Sequence, residues 1–163
     1  MTSKIVSLEE LCREAEKLWG RGLRLAATSG CFDILHAGHV AYLEKARAMA
    51  DALAVLLNSD VSVRGLKGPE RPIVPEDDRA AVLAGLSCVD WVCVFGSSTP
   101  CACYEALRPD IIVKGGDYRG RHIPEEETAS SYGGRIEYVD FVEGRSSTHI
   151  IEKIKRLVTE GCV

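Results

Sequence analysis

No apolar run in this 163-residue chain approaches the roughly 20 residues needed to cross a bilayer. The stretch 1–17 carries Glu9, Glu10, Glu14 and Glu16 and has no apolar secretion-signal core, so the protein is expected in the cytoplasm. Excess positive charge is also missing: 20 Lys and Arg stand against 24 Asp and Glu, a formal net charge of −4. That balance argues against a broad nucleic-acid or membrane-binding surface, and any bound anion must be met by a local cluster of basic residues. A disulfide framework is absent as well. The seven cysteines (Cys12, Cys31, Cys88, Cys93, Cys101, Cys103 and Cys162) are odd in number and irregular in spacing, which reads as thiols of a reducing compartment. Cys101 and Cys103, one residue apart, are poorly spaced for zinc. Internal repeats and low-complexity segments are lacking.

What remains is a chain with 46% hydrophobic and 27% charged residues, enough for a single domain, 1–163, around one core. Short β-rich runs alternate with helical stretches. Helices are predicted at 7–19, with Ser7 as N-cap and Glu10 in the third position, and at 38–50, 76–86, 101–107 and 147–158. Strands are predicted at 23–28, 53–58, 91–95, 110–114 and 135–139. The span 59–75, rich in Gly, Pro and charge, reads as the longest irregular stretch, and 117–133 as a loop followed by an undecided helix. Apolar strands separated by helices imply an α/β fold: a Rossmann-like, doubly wound parallel sheet with helices on both faces. Ligands of such sheets bind outside the carboxyl ends of the strands. The turns after Thr28, Asn58 and Val113 and the entry to the last helix should therefore face one crevice.

The strongest local signal is the run Gly30-Cys31-Phe32-Asp33-Ile34-Leu35-His36-Ala37-Gly38-His39 between the first strand and the next helix. A helix start offers unpaired N–H groups and partial positive charge, which suit phosphate. Gly38 leaves room for a flat ring or a phosphate, and His36 and His39 can address one anion from the same turn. Two histidines three apart are otherwise surface residues or half of a metal site; the strand–turn–helix setting favours the anion role. A Gly-Lys-Ser/Thr loop is lacking, which disfavours ordinary kinase or ATPase chemistry. No Gly-x-Gly-x-x-Gly turn follows the first strand, which disfavours a dinucleotide oxidoreductase.

Gly30-Cys31-Phe32-Asp33 with His36-Ala37-Gly38-His39 resembles the signature of the cytidylyltransferase-like nucleotidyltransferases, the superfamily with the His-x-Gly-His motif. Within it the chain is most similar to adenylyltransferases that act on D-glycero-β-D-manno-heptose 1-phosphate. The supporting runs are Leu57-Asn58-Ser59-Asp60, Leu66-Lys67-Gly68, Arg71-Pro72-Ile73, Asp78-Arg79-Ala80, Val113-Lys114-Gly115-Gly116-Asp117-Tyr118 and Val142-Glu143-Gly144-Arg145-Ser146-Ser147-Thr148. Ser29 departs from the Asn common at that place. Phe141 stands where glycerol-3-phosphate cytidylyltransferases carry an Arg, and here a basic residue appears at Arg145 instead. This activity is fused to a sugar kinase in many bacteria; the chain has no room for one and reads as the stand-alone form.

The resemblance implies transfer of AMP from ATP to a sugar 1-phosphate with release of pyrophosphate, for ADP-heptose and lipopolysaccharide core synthesis. It implies catalytic roles for His36, His39, Lys67 and Arg145, with Lys67, near Arg64, closing over the phosphates from a mobile loop. Gly30, Cys31, Phe32, Gly38, Lys114, Gly115, Gly116, Ser146, Ser147 and Thr148 would hold the nucleotide; Asp33, Asn58, Arg79, Asp117 and Tyr118 would hold the sugar phosphate. Arg79 has an alternative as an ion-pair partner, and one of the 146–148 hydroxyls also caps the last helix. Mg²⁺ is expected, held mainly by substrate phosphates, with no dedicated carboxylate cage and no protein metal site. Small members of this superfamily often form dimers, so a homodimer is a candidate assembly, with no nucleic-acid or membrane partner. Glycerol-3-phosphate cytidylyltransferase and FMN adenylyltransferase remain open within the superfamily, as does a non-catalytic nucleotide sensor outside it.

Overall fold

A computed structural model describes residues 4–140 and 144–161. Five strands, β1 (Leu25–Gly30), β2 (Ala52–Asn58), β3 (Trp91–Phe95), β4 (Ile111–Gly115) and β5 (Arg135–Val139), form one parallel sheet in the order β3-β2-β1-β4-β5. The chain steps outward from β1 to β3, then returns across the sheet to β4 and on to β5. The direction reverses between β1 and β4, where Thr28 lies opposite Val113, and that reversal opens a crevice at the carboxyl ends of the two strands.

Helices α1 (Leu8–Trp19), α2 (Ala37–Arg47), α3 (Asp60–Lys67), α4 (Glu76–Ala84), α5 (Cys101–Leu107), α6 (Pro124–Tyr132) and α7 (Ser147–Thr159) supply the connections, with a 3₁₀ turn at Gly116–Tyr118. Alternate residues of β1 feed two apolar layers. Ala26 packs with Leu43 of α2, Leu83 of α4 and Val55 and Leu57 of β2. Leu25 and Ala27 pack on the other face with Leu11 and Ala15 of α1, Leu107 of α5 and Leu56. Every residue of β2 is buried, as a parallel strand covered on both faces requires. The β3 edge is paired by the chain start: Val6 N–H donates to Val92 O at 3.0 Å and Val92 N–H to Lys4 O at 2.8 Å, which removes a free edge. Ser7 and Glu10 form the reciprocal N-terminal cap of α1.

Two segments differ from the sequence reading. The first half of 59–75 is helix α3, begun by Ser59, whose side chain accepts from Ser62 N–H. Gly65, Gly68 and the flanking charges mask this short helix in the sequence, because its stability comes from the cap and the buried Ser62 and Val63 rather than from propensity. The undecided 117–133 span resolves into the 3₁₀ turn and α6, which starts on Pro124 and ends on Gly133 at φ +83°.

Candidate active site

The turn between β1 and α2 is built from its own side chains. Phe32 sits at φ +43°, a left-handed conformation that costs a non-glycine residue strain. Its ring lies against Gly30, where a β-carbon would stand 3.0 Å from Phe32 Cε2, so Gly30 is fixed by this packing. The same ring tilts against His39 with centroids 5.3 Å apart. His36 stacks on His39 at 3.9 Å and 24°. His36 is the N-cap of α2, and its Nδ1 accepts the Gly38 N–H at 3.1 Å. That bond assigns the imidazole proton to Nε2, leaving an N–H donor for a ligand. A β-carbon at Gly38 would lie 3.0 Å from both His36 and Arg145 Cβ, so a side chain there would press on both.

Electrostatics keeps both rings neutral. Burial pushes the His39 imidazole down to about 4, with the charges of His36 and Lys67 acting the same way. Burial and then Arg145 lower His36. His39 Nδ1 is buried with no hydrogen-bond partner. The influence of Lys67 on His39 and Cys31, and of Arg145 on His36, marks both cations as neighbours of the stacked pair. Lys67 ends α3, where a cation suits the helix dipole, and is exposed.

The start of α7 closes the crevice from the other side. Ser146 caps the helix by accepting the His149 N–H, and Ser147 Oγ donates to Ile34 O at 3.2 Å, tying α7 to the histidine turn. Thr148 is exposed in the first turn. A cleft of about 460 Å³ opens between His36 and α7, lined by Arg145, Ser146, His149, Ile150 and Lys153. Phe141, Val142 and Glu143 precede it and lie, like Cys162, outside the described residues.

The end of β4 forms a third wall. Tyr42 of α2 donates to Val113 O at 2.9 Å, fastening α2 beside Lys114. Lys114 Nζ pairs with Glu125 Oε1 at 2.7 Å and lies 4.8 Å from the Tyr118 ring centroid. Gly115 is buried at the strand end, while Asp117 and Tyr118 are exposed on the 3₁₀ turn. Gly116, expected to hold the nucleotide, lies against Asp140, whose carboxylate would overlap any β-carbon there.

Three expected sugar-phosphate residues face inward instead. Asp33, expected to reach sugar hydroxyls, is used up by the chain: Oδ1 accepts from Ile73 N–H at 2.8 Å and Val74 N–H at 2.9 Å, and Oδ2 pairs with Arg71 Nε at 2.6 Å. Burial alone raises its carboxyl, but these donors together outweigh it and hold it below the ordinary carboxylate range. Asn58 is buried and donates to Ser62 Oγ at 2.9 Å. Arg79, with 0% of its side chain exposed, bonds to Val74 O, Cys31 O and Asn58 O and pairs with Asp60 at 2.8 Å. Of its two sequence alternatives, the ion-pair one describes it. Cys31 is half-buried beside Asn58, and burial pushes its thiol up.

Glu125 and Arg71 were not singled out as site residues from the sequence. Glu125 lay in the undecided span, and Arg71 sat in a run noted only for its likeness. Among the described residues there is no group of three or more His, Cys, Asp or Glu suited to a metal ion. The site's donors are imidazole, hydroxyl, backbone N–H and cationic groups, which fit phosphates and any divalent metal those phosphates carry. No helix among the described residues is long and apolar enough to cross a membrane.

The cytidylyltransferase-like family matches residues 27–153. The chain is 52% identical over 153 residues to the bifunctional protein HldE of Geotalea uraniireducens, covering 94% of this chain and 31% of that protein. It is 51% identical over 159 residues to the bifunctional protein HldE of Syntrophotalea carbinolica, covering 98% and 32%. The chain thus spans 31–32% of the length of these curated relatives. Among solved structures it resembles the lipopolysaccharide core biosynthesis protein from Thermoplasma volcanium, with a TM-score of 0.61 and 26% identity over 76% of this chain and 100% of that one.

Proposed function

The chain belongs to the cytidylyltransferase-like family of nucleotidyltransferases, and from that premise we propose that it transfers AMP from ATP to D-glycero-β-D-manno-heptose 1-phosphate. A phosphate oxygen of the sugar 1-phosphate attacks the α-phosphorus of ATP in line. The bond from that phosphorus to the bridging oxygen breaks, and ADP-heptose and pyrophosphate form. The observation that carries the reading is the stacked, neutral His36–His39 pair at the switch point, flanked by Lys67 and Arg145. The relatives named HldE and the neighbour named for lipopolysaccharide core biosynthesis support the sugar assignment.

No covalent intermediate is needed, so the protein acts by alignment and by stabilising charge. His36 Nε2–H and the His39 imidazole donate to phosphate oxygens as negative charge builds on the leaving group. The N–H groups opening α2 and α7, with Gly30, Cys31, Phe32, Gly38, Ser146, Ser147 and Thr148 around them, cradle the nucleotide. Lys67 and Arg145 bring positive charge from opposite sides. Lys114, Gly115, Gly116, Asp117 and Tyr118 line the β4 wall beside the nucleotide and sugar. Mg²⁺, carried mainly by the phosphate oxygens, would supply further charge neutralisation. The six described cysteines are free thiols, the state a reducing compartment maintains, and we place the activity in the cytoplasm. A homodimer is the assembly we expect.

The test is a panel of ATP, CTP, GTP and UTP against heptose 1-phosphate, glycerol 3-phosphate and FMN, read as pyrophosphate release with Mg²⁺. ATP with heptose 1-phosphate is expected to give the highest turnover. A preference for CTP or for another acceptor contradicts the assignment, and tight ATP binding with no product from any acceptor points to a sensor.

A further inference from the structure

Arg71 has an ion pair but an incomplete one. Its Nε donates to Asp33 Oδ2 at 2.6 Å, while its Nη2 is buried with no acceptor. Asp33 accepts three bonds, from Arg71 Nε and from the Ile73 and Val74 N–H groups, and none of them comes from Nη2. A cationic N–H removed from water without an acceptor is costly, so such a group calls for a partner, and a bound anion is one that would complete it.

Position says which ligand. Arg71 lies on the strap 68–75 that joins α3 to α4, on the β2/β3 side of the histidine turn. Arg145 and α7 reach the same turn from the end of β5, on the opposite side. Two anionic substrates must meet at this turn, and the wide cleft along α7 is on the Arg145 side. The charges around Cys31 are Lys67, Arg79, Asp33 and Arg71. Arg79 and Asp33 are spent on internal partners, leaving Lys67 and Arg71 as the cations with donors to give. The Arg71 side chain is 14% exposed, so its guanidinium lies close beneath the surface.

We propose that Arg71 is the acceptor-phosphate residue: Nη2 donates to an oxygen of the sugar phosphate, and Asp33, through Nε, is the positioning residue that fixes the guanidinium plane. This rests on the nucleotidyl-transfer reading above and extends it to the second substrate. Guanidinium suits the task because its planar fork serves a carboxylate and a phosphate at once.

The experiment compares wild type with Arg71→Gln and Arg71→Lys by pyrophosphate release, varying acceptor at saturating ATP and ATP at saturating acceptor. In Arg71→Gln the acceptor KM is expected to rise about tenfold or more, the loss of a charge-assisted hydrogen bond, with the ATP KM within about twofold. Arg71→Lys keeps the charge and the Asp33 pair, so it is expected to fold like wild type and show a smaller rise. Asp33→Asn is expected to shift the acceptor KM in the same direction without moving the ATP KM. An unchanged acceptor KM in both Arg71 variants overturns the assignment. An ATP KM that rises in step overturns it too, because Nη2 would then serve the triphosphate. If wild type prefers a different acceptor phosphate, the sugar reading fails at that step and the Arg71 comparison proceeds with the preferred acceptor. An arm free of turnover follows ³¹P line broadening of inorganic phosphate, expected with wild type and reduced in Arg71→Gln; equal broadening counts against the site.

Discussion

At the scale of residues, the chemistry depends on keeping two imidazoles neutral while they wait for an anion. His39 is held at about 4 and His36 below its ordinary value, chiefly by burial. A bound triphosphate favours the imidazolium forms, so MgATP binding should draw protons from solution and tighten as pH falls from 8 to 6. Calorimetric titrations in two buffers of different ionisation enthalpy check this; heats independent of buffer contradict it. His39→Ala is expected to lower kcat by about 10²–10³ while leaving the melting curve near that of wild type. Lys114 and Glu125 present a separate case. Their side chains are 9% and 8% exposed, and Glu125→Ala strands a buried ammonium. A loss of about 3–5 kcal/mol is expected in urea unfolding, largely recovered by adding Lys114→Met; a change under 1 kcal/mol would show the pair to be solvated.

The elements around the site are fastened by polar locks that hydrophobic periodicity does not encode. β1, β3, α5 and β5 are legible because short apolar runs are bounded by breakers such as Gly96, Pro100, Pro109 and Gly134. The histidine turn is legible because its residues do local work: Gly30 yields to Phe32, and Gly38 to His36 and Arg145. Helix α3 is not legible, since a capping Ser59 and two buried residues outweigh a glycine-containing sequence. The inward turn of Asp33 and Asn58 was equally hidden, whereas the ion pair of Arg79 was one of its two readings. Asp33 and Asn58 look like ligand-binding residues in the chain, and only the fold shows the donors to Asp33, which stand 38 to 41 positions away. The strap that Asp33 holds gives an element-scale test. In Asp33→Asn the Ile73 and Val74 amides should lose hydrogen-exchange protection while β1 amides keep theirs. Equal protection in both proteins would show that Arg79, through Val74 O, holds the strap without help.

For the whole molecule, the sheet order places the site and a set of buried ionisable groups makes stability depend on pH. Between its ordinary 6.5 and about 4, His39 binds a proton in the unfolded chain but not in the folded one. The stability present at neutral pH should therefore fall as pH drops from about 6.5 toward 4. Asp33, lowered below its ordinary 3.8, adds a further loss below that value. Melting temperatures from pH 7.5 to 3.5 should decline across this range, with the part between 6.5 and 4 reduced in His39→Ala; an identical decline in that variant would assign it to other groups. The sheet itself depends on the paired β3 edge, which the segment 4–6 closes.

The central claim is that the neutral histidine pair, set between cations from α3 and from the start of α7, serves nucleotidyl transfer. Its most direct test is single-turnover formation of ADP-heptose from α-³²P-labelled ATP and heptose 1-phosphate, in wild type and in His39→Ala. Label is expected in ADP-heptose, with pyrophosphate in equal amount, and the rate should collapse in the variant. Label remaining in ATP with wild type, or equal rates in the two proteins, would contradict the account.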